Sequence, residues 1–121
     1  MDQAQNNKKY DLEERTFNFS QEIRSYLKSV QRTIISVEDI KQLTRSSGSI
    51  GANYIEANEA LSKKDFYMRI KICRKETKES IYWLKLLVSD NKELEIIRLR
   101  LIDEATQLMK IFGSIITSSK V

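Results

Sequence analysis

The chain has 121 residues, with no proline, no histidine, three glycines and one cysteine; 21 basic and 17 acidic residues give a net charge of +4. That length holds one domain, and so few turn residues exclude a strand-rich fold, which needs them at frequent intervals. The lone Cys73 excludes an internal disulfide. No run approaches the 18 apolar residues of a membrane span, and Met1–Tyr10 lacks an apolar signal core, so a cytoplasmic, reducing setting is expected.

Four segments carry helical periodicity, and each is preceded by a cap residue three positions before an acid or in a close variant of that spacing: Asp11-x-x-Glu14, Ser36-x-x-Asp39, Ser62-x-x-Asp65 and Asp90-x-x-Glu93. The first side chain accepts from an orphan N–H, and the acid sits at the positive helix end. The sites recur about every 26 residues, so they reinforce one another as helix starts.

The first helix presents Leu12, Thr16, Phe19, Ile23, Tyr26 and Val30 on one face, after a disordered tail expected over residues 1–10. The second presents Ile40, Leu43, Ser47, Ile50, Tyr54, Ala57 and Leu61. Within it, Arg45-Ser-Ser-Gly-Ser-Ile-Gly-Ala52 has the composition of a loop. The apolar register nevertheless runs through unbroken, so continuous helix is predicted. Gly48 and Gly51 would cost about 1 kcal/mol each against alanine, and the expected return is close approach of a neighbouring helix or subunit.

The third helix presents Phe66, Ile70, Cys73, Thr77, Ile81, Leu84 and Val88, and the fourth Leu94, Ile97, Leu101, Ala105, Leu108, Phe112 and Ile115. Four helices of this length with short connections predict an all-α, antiparallel up-down-up-down four-helix bundle over residues 11–118, with the residues after Thr117 expected to fray.

The third helix also has the clearest chemical signal. At 100° per residue, Lys64, Lys71, Arg74, Lys75, Lys78 and Lys85 fall within an arc of about 100° together with Tyr67 and Tyr82. Residues 63–90 hold eight basic and four acidic residues, so the whole net charge of +4 lies there. A cationic stripe on a rigid helix suits a phosphate track, and it is also what an ordinary solvated face looks like. Tyr67 and Tyr82 fit either base stacking or plain amphipathic surface. Trp83 and Tyr54 occupy core-type positions, so packing is the expectation for both.

A second constellation is polar. Asn53 and Glu56 on the second helix and Glu76 and Glu79 on the partly apolar side of the third need partners if buried. Arg45, Arg69 and Arg74 are the candidates, which predicts a structural network that sets register or a subunit interface. A di-metal bundle site wants Glu-x-x-His motifs, and with no histidine no metal or other cofactor is expected. Cys73 and the serines lack a histidine base. Gly48-Ser-Ile-Gly51 lacks phosphate-loop spacing, so no enzyme is expected.

Arg45-Ser-Ser-x-Ser-Ile-x-Ala-Asn-Tyr-x-Glu-Ala57, Lys64-x-Phe66, Arg74-Lys-Glu76, Glu79 and Tyr82-Trp83-Leu84 together closely resemble the bacterial four-helix-bundle proteins encoded within intervening sequences of 23S ribosomal RNA genes. Relatives of that family include the accessory variability protein of diversity-generating retroelements. The resemblance implies an antiparallel bundle, a homopentameric ring and no catalysis. It also implies binding of nucleic acid, RNA or DNA, and of a protein partner such as a reverse transcriptase. Cys73 stands where the family pattern leads one to expect a small residue such as alanine, a mild departure because cysteine is small and apolar. The working expectation is a self-assembling nucleic-acid-binding bundle; the alternative is a module that binds a protein without touching nucleic acid.

Overall fold

The computed structural model describes residues 2–118, with side chains from Leu12 to Ser118. It contains four helices: α1 (Asp2–Leu27), α2 (Ile34–Asn58), α3 (Lys63–Leu86) and α4 (Lys92–Ser118). Helix α1 runs through residues 2–10 and through Asp11, where the sequence placed a tail and a cap, so the helix does not start at Asp11. Met1 and, of the residues expected to fray after Thr117, 119–121 lie outside the described set.

Each helix packs on its chain neighbour, and α1 closes the ring against α4. Paired residues run in opposite chain directions at the α1–α2, α2–α3 and α1–α4 seams, which sets α4 antiparallel to α3 as well. Glu13 meets Asn58 and Thr16 meets Gly51 between α1 and α2. Arg45 meets Glu79 and Asn53 meets Arg69 between α2 and α3. Arg98 of α4 reaches Leu84 of α3, while Arg15 meets Glu104 and Glu22 meets Arg100 between α1 and α4. The bundle is therefore up-down-up-down.

The core lies where the apolar stripes predict it, around Phe19, Ile23, Leu43, Ile50, Ile70, Leu84, Leu101, Leu108 and Phe112, all at most 1% exposed. Two stripe ends depart from expectation. Leu61 is 98% exposed because α2 stops at Asn58 and the chain turns there. Val88 is exposed because α3 ends at Leu86, and Leu87 takes the buried position instead.

Of the caps, Ser62 behaves as expected and accepts the Asp65 N–H at 3.1 Å. The Ser36 assignment is corrected: Thr33 is the cap of α2, and Ser36 is its reciprocal partner. The Thr33 hydroxyl accepts from the Ser36 N–H at 3.0 Å, and the Ser36 hydroxyl accepts from the Thr33 N–H at 2.8 Å. Two hydroxyls three apart satisfy both orphan donors, so the helix starts earlier than a Ser–Asp pair would have it. The Asp90 assignment is corrected too, because the Asn91 side chain accepts the Leu94 N–H at 3.1 Å and starts α4.

The Arg45–Ala52 stretch is helix throughout. Gly51 marks a close approach: a Cβ there would lie 3.1 Å from the Thr16 hydroxyl of α1. At Gly48 the nearest atom is only the flexible tip of Arg24, at 3.2 Å. Small side chains also close the α2–α3 seam. Ser46, Ser47, Cys73, Thr77 and Ser80 are fully buried, and the Ser46 and Ser80 hydroxyls bond across it at 2.8 Å. Ser80 and Thr77 also donate to the carbonyls one turn back, at 2.9 and 2.7 Å, so these hydroxyls enter the core without an unsatisfied group.

Candidate nucleic-acid interface

Ser62 starts α3 in a phase that turns Ile70, Cys73, Thr77 and Leu84 inward. The opposite arc is thereby delivered to the surface. Lys64, Lys71, Arg74, Lys75, Lys78 and Lys85 are all exposed, as is Tyr82, and Tyr67 is half-buried. Lys71, Arg74, Lys75 and Lys78 line one shallow depression with Glu79 and Ile116 of α4. Among the described residues none of these four cations forms an ion pair with the chain, so their charge faces outward.

Both tyrosines are braced from the side. The Tyr82 ring meets Trp83 edge-on, with centroids 5.0 Å apart and planes at 77°. Tyr67 meets Phe66 likewise at 5.1 Å and 78°. Trp83 is half-buried against the core, and its indole N–H is buried without an acceptor among the described residues. Tyr54 is buried and packs on Phe112 with centroids 6.2 Å apart. Tyr54 is thus a core residue, and Trp83 serves as the brace behind Tyr82.

The expected polar network exists as two separate pairings. Arg45 spans to both acids of α3: its guanidinium donates to Glu79 Oε1 at 2.7 Å and to Glu76 Oε2 at 3.4 Å. Glu76 is buried, and its Oε1 lies 3.3 Å from Arg45, within ion-pair reach but outside hydrogen-bond geometry. These carboxylates hold the Arg45 proton more firmly than usual, the Glu76 hydrogen bond first among the causes. Farther along the seam, Arg69 donates to Asn53 Oδ1 at 3.0 Å, and Asn53 donates to the Ser49 carbonyl at 2.9 Å. Glu56 joins neither pairing. It is exposed, at the rim of a groove at the α2–α3 turn that also holds Glu59, Asp65, Met68, Arg69 and Ile72. Arg74 points to the basic depression and not into the network.

One polar cluster escapes the sequence reading. Arg98 is almost fully buried, donates to both oxygens of Glu95 at 2.8 and 2.7 Å, and donates to the Leu84 carbonyl at the end of α3 at 3.1 Å. Glu95 also accepts the Ser89 N–H at 3.0 Å. The Arg98 hydrogen bonds, aided by that of Ser89, hold the Glu95 carboxyl down at about 2. Tyr26 lies beside this cluster, its phenol pushed up to about 12 by burial. The signal in the chain was Glu95-x-x-Arg98, an ordinary surface pair until the α3–α4 turn folds over it.

Three comparisons bear on this surface. The sequence model of the family described as 23S rRNA-intervening sequence protein matches residues 8–114. The chain is similar in structure to a protein of unknown function from the S23 ribosomal protein family of Bacteroides thetaiotaomicron VPI-5482, solved by crystallography. The TM-score is 0.71 at 28% identity, covering 87% of this chain and 97% of that one. Curated protein sequences gave no match. Among the described residues no helix is long and apolar enough to cross a membrane.

Proposed function

This chain belongs to the 23S rRNA-intervening sequence protein family, and from that premise we propose that it binds nucleic acid through the exposed arc of α3 and performs no catalysis itself. The observation that carries the reading is the depression in which Lys71, Arg74, Lys75 and Lys78 converge, none of them ion-paired among the described residues. The one acid in it, Glu79, is already taken by Arg45 at 2.7 Å. Four outward cations with their local anion neutralised attract phosphate by counterion release, mostly without regard to sequence.

The test is titration of labelled RNA and DNA at several salt concentrations, with wild type beside a Lys71→Glu, Lys75→Glu, Lys78→Glu variant. Binding should weaken steeply with salt, and the salt slope should fall by about one for each lysine lost. Unchanged binding by the variant would remove α3 from the interface.

A protein partner is the second reading, and exposed apolar side chains favour it. Ile35 and Val88 line a depression between the α1–α2 and α3–α4 connections, and Ile34 beside them is 97% exposed. Phe17, Ile96 and Leu99 are exposed on α1 and α4. Such groups suit burial against protein, including further copies of this chain in the pentamer that the resemblance implies. A protein interface would persist in high salt, and native mass spectrometry would read the copy number.

A further inference from the structure

On the reading that α3 binds nucleic acid, we infer that its partner is a single strand laid along the helix, with phosphates on Lys71, Lys75, Lys78 and Lys85 and a base face on Tyr82. The inference rests on how charge and apolar surface are divided across the arc. Taking Lys64 as the origin at 100° per residue, the cations lie between about −80° and +20°. Tyr82 lies at the middle of the outer face, and Leu86 and Met68 lie at about +40°, on the edge toward α2. These three are not covered by the bundle: Tyr82 is 58% exposed, Met68 53% and Leu86 50%. The helix therefore presents a cationic lane with Tyr82 set in it, bordered on its α2 side by the exposed Met68 and Leu86.

A single strand has the same division, with phosphates along one edge and unstacked base faces along the other. A duplex turns phosphate and sugar outward and stacks its base faces inside, so it would meet the cations and leave Tyr82 and Leu86 without a counterpart. The spacing agrees. Lys71, Lys75 and Lys78 follow one another by about 4.5–6 Å along a straight helix axis, an interval that the long lysine side chains can match to the phosphate repeat of an extended strand. A duplex strand winds away from such a straight row within a few phosphates.

Two further contacts support the track. Trp83 holds the Tyr82 ring edge-on at 5.0 Å, which leaves a face of Tyr82 open to a base. Arg45 draws the Glu79 carboxylate to itself, so that acid does not repel the strand. At the other end, the groove beside Met68 holds three acids, Glu56, Glu59 and Asp65, against one cation, Arg69, which is bonded to Asn53, so its net charge disfavours phosphate there.

The experiment is fluorescence anisotropy with labelled RNA and DNA of about 12 nucleotides, each as a single strand and as its blunt duplex, against wild type, Tyr82→Ala and Leu86→Ser. Circular dichroism would establish that both variants stay helical. The expected result is tighter binding of the single strand than of its own duplex, for RNA, DNA or both. Tyr82→Ala should weaken the single strand about 10-fold, as loss of one stacked base does, and leave duplex binding unchanged. Leu86→Ser should give a smaller loss of the same selectivity. Duplex binding as tight as single-strand binding, or a Tyr82→Ala variant that alters neither or both alike, would overturn the single-strand inference and leave the nucleic-acid reading standing. Absence of binding to all four probes at low salt would overturn both.

Discussion

The α2–α3 seam and the α1–α4 seam are built in opposite ways. Between α2 and α3 the buried contacts are Ser46, Cys73, Thr77 and Ser80, so the helices approach closely and hydroxyls bond across the gap. On α1 and α4 large side chains such as Phe19 and Phe112 enter the core, and long ion pairs bridge the outside of this seam, Arg15 to Glu104 at 2.7 Å and Arg100 to Glu22 at 3.6 Å. A seam closed by small residues has one allowed spacing, because any added methylene must displace a helix. A seam bridged by half-exposed charged side chains tolerates adjustment. The tight seam carries the candidate interface: α3 is held in one rotation, and its basic arc with it.

Enlarging the tight seam should have the greatest effect. Ser80→Leu places a bulky side chain in a fully buried position and strands the Ser46 hydroxyl; a loss of about 3 kcal/mol is expected in denaturant unfolding. A value near zero would mean the seam is loose. Next comes the joint that ends α3, where Glu95 is held at about 2. A depressed carboxyl contributes stability above its ordinary value near 4.5, and that contribution is lost as pH falls toward about 2. Thermal melts of wild type should therefore drop across that acid range more than those of Glu95→Gln.

The glycines give a finer contrast. Gly113→Ala meets nothing within 4 Å and should gain up to about 1 kcal/mol from helix propensity. Gly51→Ala should gain none of this, since its Cβ would press on Thr16, whose hydroxyl is already tied to the Leu12 carbonyl at 2.7 Å. Smallest is Arg15→Met at the α1–α4 seam, expected to cost no more than about 1 kcal/mol. A larger cost would show that this seam, too, is specified by polar contacts.

Reactivity sharpens the same comparison. Burial pushes the Cys73 thiol up to about 12, and it donates to the Ile50 carbonyl of α2 at 3.4 Å. Thiol reagents at pH 8 should leave native protein unlabelled and react only on unfolding, because the thiolate is the nucleophile. Rapid native labelling would mean that α2 and α3 separate readily.

Helix count, core stripes and the outward basic arc were legible in the chain because each follows from 3.6-residue periodicity. The unbroken α2 was legible for the same reason, despite the loop-like Arg45–Ala52 composition. The helix starts at Thr33 and Asn91 were misplaced because neighbouring hydroxyl and amide side chains can all cap, and the one that does depends on how the connection folds. Arg98 was invisible as a buried group, since periodicity reports hydrophobicity and an arginine reads as surface until Glu95 and the Leu84 carbonyl close on it.

The sequence by itself determined the number of helices, the faces they bury and the side on which their cations emerge, for these are properties of one helix at a time. Only the tertiary structure decided that Arg45 would claim Glu79 and that Glu56 would stand apart from the network. It also decided that Trp83 would brace an exposed Tyr82 while Tyr54 went to the core. Those outcomes depend on the spacing and rotation between helices, which the volumes of Ser46, Cys73 and Ser80 set only once the two helices are pressed together.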